Sequence, residues 1–256
     1  MKSTGQDTAL KEQIRLYSKE LRMPSLVEYG ETAREALAQQ WGYERFLLRI
    51  LEKESYHRKE NARRRKVKAA GFPLPKTLDT FEFKRLERVE EPLVWELASG
   101  DFITKRENII LIGNPGTGKT HLATGLGMRL CEYGFSVIFT KASDLVIKLA
   151  EAQDSHTLSK LHRKLEKVDL LILDELSYMS FSRNQAEHLF HVLASRNERG
   201  SVLITTNLEF SKWTDLFPDK MLTAALVDRL THHSYILDMN GRSYRLQEQL
   251  RKRIKT

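Results

Sequence analysis

The stretch that most constrains this chain is Gly113-Asn-Pro-Gly-Thr-Gly-Lys-Thr120. An apolar run, Asn108-Ile-Ile-Leu-Ile112, precedes it, and a helix-forming run, His121-Leu-Ala-Thr-Gly-Leu-Gly-Met-Arg-Leu130, follows it. Strand, glycine loop and helix in that order make a phosphate cradle. Gly113, Gly116 and Gly118 let the backbone turn tightly and aim its N–H groups inward, and the helix N-terminus adds partial positive charge. Asn114, Pro115, Thr117 and His121 complete the stretch that would wrap a nucleotide. Lys119 is placed to reach the β- and γ-phosphates, and the Thr120 hydroxyl to hold magnesium.

Such a loop needs a sheet behind it. Further apolar strands are predicted at 136–140, 169–174, 201–206 and 235–239, with helices at about 143–152, 156–167 and 183–198 and helical segments to about 233. Continuous apolar strands between helices predict an α/β fold, a parallel five-stranded sheet covered on both faces. Residues 1–70 read differently, as a small all-helical N-terminal domain. Leu10, Ile14, Tyr17 and Leu21 form one helical stripe, and Phe46, Leu47, Ile50 and Leu51 another, both expected in a core. Ser25 is expected to cap the helix between them. Pro73 and Pro75 forbid regular helix, so residues 71–83 read as a linker. Phe81 and Phe83 belong either near a nucleotide base or in the core. A helix over 86–99 then leads into the nucleotide-binding domain, residues 71–256.

The formal charge of +8 is concentrated. Residues 57–70 hold seven Lys/Arg against one acid, and residues 242–256 hold six against one. Two concentrated basic segments favour a polyanion partner such as nucleic acid. Arg58, Lys59, Arg63, Arg64, Arg65, Lys66 and Lys68, together with residues 251–255, are the candidate phosphate contacts. No apolar run approaches the roughly 20 residues that span a bilayer. No apolar stretch follows the N-terminus, and the lone Cys131 excludes an internal disulfide. A cytoplasmic protein without membrane contact is expected.

The second chemical signal is Leu170-Leu-Ile-Leu-Asp-Glu175, a buried strand ending in two acids. In an open parallel sheet, ligands lie beyond the strands' C-terminal ends. Asp174 there can position magnesium, and Glu175 can polarise a water attacking the γ-phosphate. Asn207 ends the strand expected beside it and can orient that water. Asp228 and Arg229 are placed after a helix at 219–227, either as a surface salt bridge or with Arg229 on the rim, reaching a neighbouring subunit's nucleotide. Arg242 and Arg245 follow the last strand as candidate phosphate contacts, Arg245 preferred. A kinase would need an acceptor pocket and an arginine-rich lid, and the water-activating acids argue for hydrolysis instead.

The loop, Leu-Asp-Glu at 173–175, Thr-Thr-Asn at 205–207 and Asp-Arg-Leu at 228–230 resemble an AAA+ P-loop ATPase of the helicase-loader branch. Within it the chain is similar to the IstB-like ATP-binding proteins, transposition helpers of bacterial insertion sequences. Phe46–Glu52, residues 72–81 and Arg229-Leu-Thr-His-His233 carry the more specific likeness. The resemblance implies ATP with Mg2+, and a homo-oligomer that assembles on double-stranded target DNA and bends it. It also implies recruitment of a transposase encoded by the same element. The N-terminal domain would meet transposase or DNA, and the sheet domain would lack a full lid. A replicative helicase loader is the alternative. The helix near 143–149 resembles the insertion of initiator-type AAA+ proteins; Lys141 and Lys148 then either track a DNA backbone or are ordinary surface charges.

Overall fold

Five strands build one parallel sheet: β1 (Asn108–Ile112), β2 (Val137–Lys141), β3 (Leu170–Asp174), β4 (Ser201–Thr206) and β5 (Ser234–Asp238), in the order β2-β3-β4-β1-β5. In this computed structural model the described residues are 3–86, 88–176, 181–217, 219–241 and 243–244. Side chains alternate between the two faces of a strand. Ile109, Leu111 and Ile172 therefore enter one core with α6 (Lys119–Glu132), α4 (Glu91–Leu97) and α5 (Asp101–Thr104). Ile110, Leu171, Leu173 and Ile204 enter the other, under α7 (Ala142–Asp154), α8 (Leu158–Lys167), α9 (Arg183–Arg196) and α10 (Lys220–His232). Because every pairing is parallel, Ile112, Asp174 and Thr206 all end at the same edge, with Ile112 opposite Thr206.

Arg196 pins the opposite edge. Its buried guanidinium donates to the carbonyls of Leu165, Val168, Asp169 and Ser201. This ties the end of α8 to the starts of β3 and β4. Burial pulls its pKa down to about 10. Cys131 is fully buried, and burial pushes its thiol up to about 11, which keeps it protonated and unreactive.

The chain divides into two compact units, Met1–Arg64 and Arg65–Thr256. The first holds α1 (Ser3–Glu20), a 3-10 turn Pro24–Glu28, α2 (Tyr29–Ala38) and most of α3 (Tyr43–Ala70). Ser25 caps no helix; its N–H and hydroxyl both donate to the buried Glu54 carboxylate, which also accepts from Arg58. The apolar stripes form little core: Leu10, Tyr17, Leu21, Leu47 and Leu51 are exposed, and among the described large apolar residues of this unit only Ile50 is buried. A unit of roughly sixty residues built from three helices buries too little surface to enclose them all.

In the second unit, residues 71–83 are not a free linker. Leu78 and Phe83 are buried within two 3-10 turns, Leu78–Thr80 and Phe83–Arg85. The helix expected over 86–99 shrinks to α4, which starts with a proline in its first turn and gives way to left-handed Gly100. Asp228 and Arg229 lie inside α10, because that helix continues to His232. No described helix is long and apolar enough to cross a membrane.

Candidate nucleotide site

The loop after β1 is held open by its neighbours. Gly116 (φ 81°) and Gly118 (φ 99°) take left-handed backbone, and Gly118 caps α6. Gly113 is needed for another reason: a Cβ there would lie 2.5 Å from the Met239 carbonyl carbon. β5 thus presses its exit directly against the loop. Asn240 Oδ1 accepts from the Asn114 N–H at 3.0 Å, and the Tyr244 N–H donates to the Gly116 carbonyl at 2.9 Å. Asn240 and Tyr244 were not singled out from sequence, where nothing marks them. Arg242 and Arg245 lie outside the described residues.

Beside the loop lies a cleft of about 530 Å³, lined by residues 115–121, Lys76, Phe81, Arg85, Glu175, Thr205, Asn207 and Tyr244. A ligand of nucleotide size fits such a volume. Lys119 folds over the loop, its Nζ 2.6 Å from the Gly113 carbonyl and 2.8 Å from that of Asn114. Its ammonium is thus held on the loop's own carbonyls, within the loop that would wrap phosphate. His121 turns away from the loop, its Nε2 3.0 Å from the Thr77 carbonyl and its ring edge-on to Phe81 at 5.2 Å. Burial above all lowers its pKa. The neutral ring thereby anchors the turn that carries Phe81 over Gly118. Phe81 lines the cleft, while Phe83 belongs to the core.

The acids converge on the loop. Thr120 Oγ1 donates to both Asp174 oxygens, at 3.1 and 3.2 Å. Thr205 Oγ1 donates to Asp174 Oδ1 at 2.6 Å and accepts the Glu175 N–H at 2.9 Å. Asp174 is almost fully buried, and burial raises its carboxyl above the ordinary range despite these bonds. A buried carboxylate beside a loop hydroxyl is a hard-oxygen pair of the kind magnesium takes. Glu175 stands at φ 60°, a left-handed backbone rare outside glycine. Thr205 holds it there, and the Leu176 N–H bonds the Thr205 carbonyl at 2.9 Å. The Glu175 carboxylate is exposed and pairs with Lys141 at 2.7 Å. That bond raises the Lys141 pKa.

The remaining predicted residues divide between the cleft and other surfaces. Asn207 lines the cleft at the end of β4. Arg229 does not: α10 leads to Ser234, which pairs with Asn108 at the sheet's far edge, and its guanidinium lies over the Phe190 ring. Lys148 is exposed on α7, whose Leu145, Val146 and Leu149 cover the sheet. Of the basic stretch, Arg58 is tied to Glu54 and the Arg22 carbonyl, Arg63 and Arg64 to Glu60, and Lys66 to the Gly134 carbonyl. Lys59, Arg65 and Lys68 are exposed on α3, without an ion pair among the described residues.

The strand order, the glycine loop and the paired acids define a P-loop ATP-binding protein of the AAA+ type. The fold resembles AMPPCP-bound DnaA from Aquifex aeolicus (TM-score 0.56, 20% identity, 71% of this chain and 56% of that one). It also resembles the DnaC helicase loader (TM-score 0.52, 21% identity, 65% and 96%). The model of the IstB-like ATP binding protein family matches residues 17–252, and the chain belongs to that family. An ATP-binding protein of insertion sequence IS5376 from Geobacillus stearothermophilus is 37% identical over 240 residues, covering 93% of this chain and 96% of that protein.

Proposed function

We propose that this chain is the ATP-hydrolysing helper of a transposase encoded by the same insertion sequence. With ATP bound it assembles as a homo-oligomer on double-stranded target DNA, bends the DNA and recruits the transposase. Hydrolysis resets the assembly. The observation that carries the ATPase reading is that Thr120, Glu175 and Thr205 line one cleft, with the buried Asp174 behind it accepting from Thr120 and Thr205. Family membership supports the insertion-sequence role.

In this reading ATP draws the Lys119 ammonium from the loop carbonyls to its β- and γ-phosphates. Thr120 and Asp174 hold magnesium, which when bound neutralises phosphate charge. Glu175 leaves Lys141 to take a proton from the attacking water, and Asn207 orients that water. Arg229, remote from its own loop, reaches a neighbour's nucleotide.

The test is assembly on duplex DNA scored beside ATP turnover. Lys119→Ala should lose ATP binding and assembly together. Glu175→Gln should keep both and lose turnover by about 10²–10⁴. Normal hydrolysis by Glu175→Gln overturns the assignment. Capture of a replicative helicase in place of the transposase would move the chain to the helicase-loader role.

A further inference from the structure

Helix α8, Leu158–Lys167, carries a charge pattern that the nucleotide site does not use. Lys160, Arg163, Lys164 and Lys167 follow the spacing i, i+3, i+4, i+7, which places all four on one face of a helix. Leu158, Leu161 and Leu165 occupy the opposite face and pack into the core. The leucines thus fix the rotation of the helix, and all four cations are exposed.

Some helices in the molecule pair cations along the chain, as Arg183 with Glu187 and Arg129 with Glu132, whereas Lys59, Arg65 and Lys68 on α3 are left without an ion pair among the described residues, like the α8 stripe. On α8 the residues three and four positions from Lys160 are Arg163 and Lys164, so the stripe repels itself. None of the four makes an ion pair or side-chain hydrogen bond among the described residues. Lys164 and Lys167 gain something from the helix C-terminus, but Lys160 and Arg163 do not. An intramolecular purpose for the full stripe is missing.

We propose that this face of α8 is a docking surface for the phosphate backbone of duplex DNA. Seven residues of helix rise about 10 Å. One DNA strand presents a phosphate every ~3.4 Å along the axis, so the stripe matches about three successive phosphates. Contacts of this kind position DNA without reading its sequence. The inference rests on the DNA-helper reading and adds to it a surface on the sheet-bearing unit.

The test uses the full chain with Lys160, Arg163, Lys164 and Lys167 all changed to Gln. Binding to a fluorescent duplex is titrated across salt concentrations, for two unrelated sequences. A control changes Lys105, Arg199, Lys212 and Lys220 to Gln, removing the same charge from other exposed positions. We expect the quadruple variant to bind at least tenfold more weakly on both duplexes. Its log K against log salt slope should be shallower by about 2 to 4, as counterion release requires for two to four lost contacts. Replacing the three lysines by Arg should retain binding, and ATP binding should be unchanged in every variant. If the wild type binds duplex and the α8 variant matches it, the stripe inference falls alone. It also falls if the control loses as much, or if the loss appears on anionic vesicles and not on duplex. If the wild type binds no duplex, the DNA-helper reading falls and the stripe with it.

Discussion

Thr205 shows how much of the site hangs on one hydroxyl. It donates to Asp174, accepts from the Glu175 backbone, and so joins the acid proposed to hold metal to the one proposed to activate water. Thr205→Val keeps the shape and removes both bonds. Leaving these buried partners unsatisfied should cost about 1–3 kcal/mol of stability. The loss of turnover should exceed any loss of ATP affinity, which steady-state kinetics beside equilibrium nucleotide binding would reveal. Equal loss in both would assign Thr205 to nucleotide binding instead. Asp174 gives a pH-dependent prediction. Its folded pKa is raised by burial above the ordinary 3.8. Stability from such a group is fully present below the unfolded value and is lost as pH rises through the folded one. At neutral pH, the nucleotide-free protein therefore carries a destabilising buried charge. Asp174→Asn should melt a few degrees higher at pH 7, an advantage that fades as pH falls toward about 4. The same variant should gain little further stability from Mg-ATP. A wild-type-like rise with Mg-ATP would remove Asp174 from the metal site.

At the scale of elements, the five strands and the glycine loop were legible because unbroken apolar runs between helices have one stable solution, a doubly covered parallel sheet. The adjacency of β3 and β4, which brings Asn207 toward Asp174, was expected too, although apolar runs by themselves do not fix the order of strands. What was not legible was packing that no periodicity encodes. Residues 71–83 contain two prolines and read as a linker, yet Leu78 packs against Gly125 of α6 and Phe83 is buried in the same core. The contacts of Asn240 and Tyr244 with the loop depend on how β5 exits, a tertiary fact. The N-terminal stripes misled in the other direction, since helical spacing shows that a face is apolar but not what covers it. Leu47 and Leu51 on α3 are exposed. If that face serves assembly or transposase capture, Leu47→Ser with Leu51→Ser should weaken association at least tenfold. Single-molecule ATP binding and the melting temperature should change little, because these side chains are already in water. Sedimentation with and without DNA checks the first, and a thermal melt the second.

The whole molecule places the two charges proposed for catalysis at opposite edges of one sheet. Glu175 stands at the C-terminal edge beside the loop, whereas Arg229 rides α10 to the edge where Asn108 and Ser234 begin their strands. A sheet between them prevents Arg229 from serving the nucleotide of its own chain, so any catalytic use must cross a subunit boundary. Arginines supplied in this way stabilise the charge of the phosphoryl-transfer transition state and are worth about 10³–10⁵ in kcat. Arg229→Ala should therefore bind ATP as the wild type does when dilute, and should lose turnover steeply when concentrated on DNA. Mixing makes the test specific. A Glu175→Gln subunit retains its arginine, and an Arg229→Ala subunit retains its carboxylate. Neither variant turns over alone, but mixed oligomers contain junctions with both groups intact. Recovered ATPase activity that depends on the mixing ratio is the expected result. If Arg229→Ala hydrolyses ATP at the wild-type rate in the assembled state, the arginine is only a surface charge over Phe190 and the active site is complete within one chain.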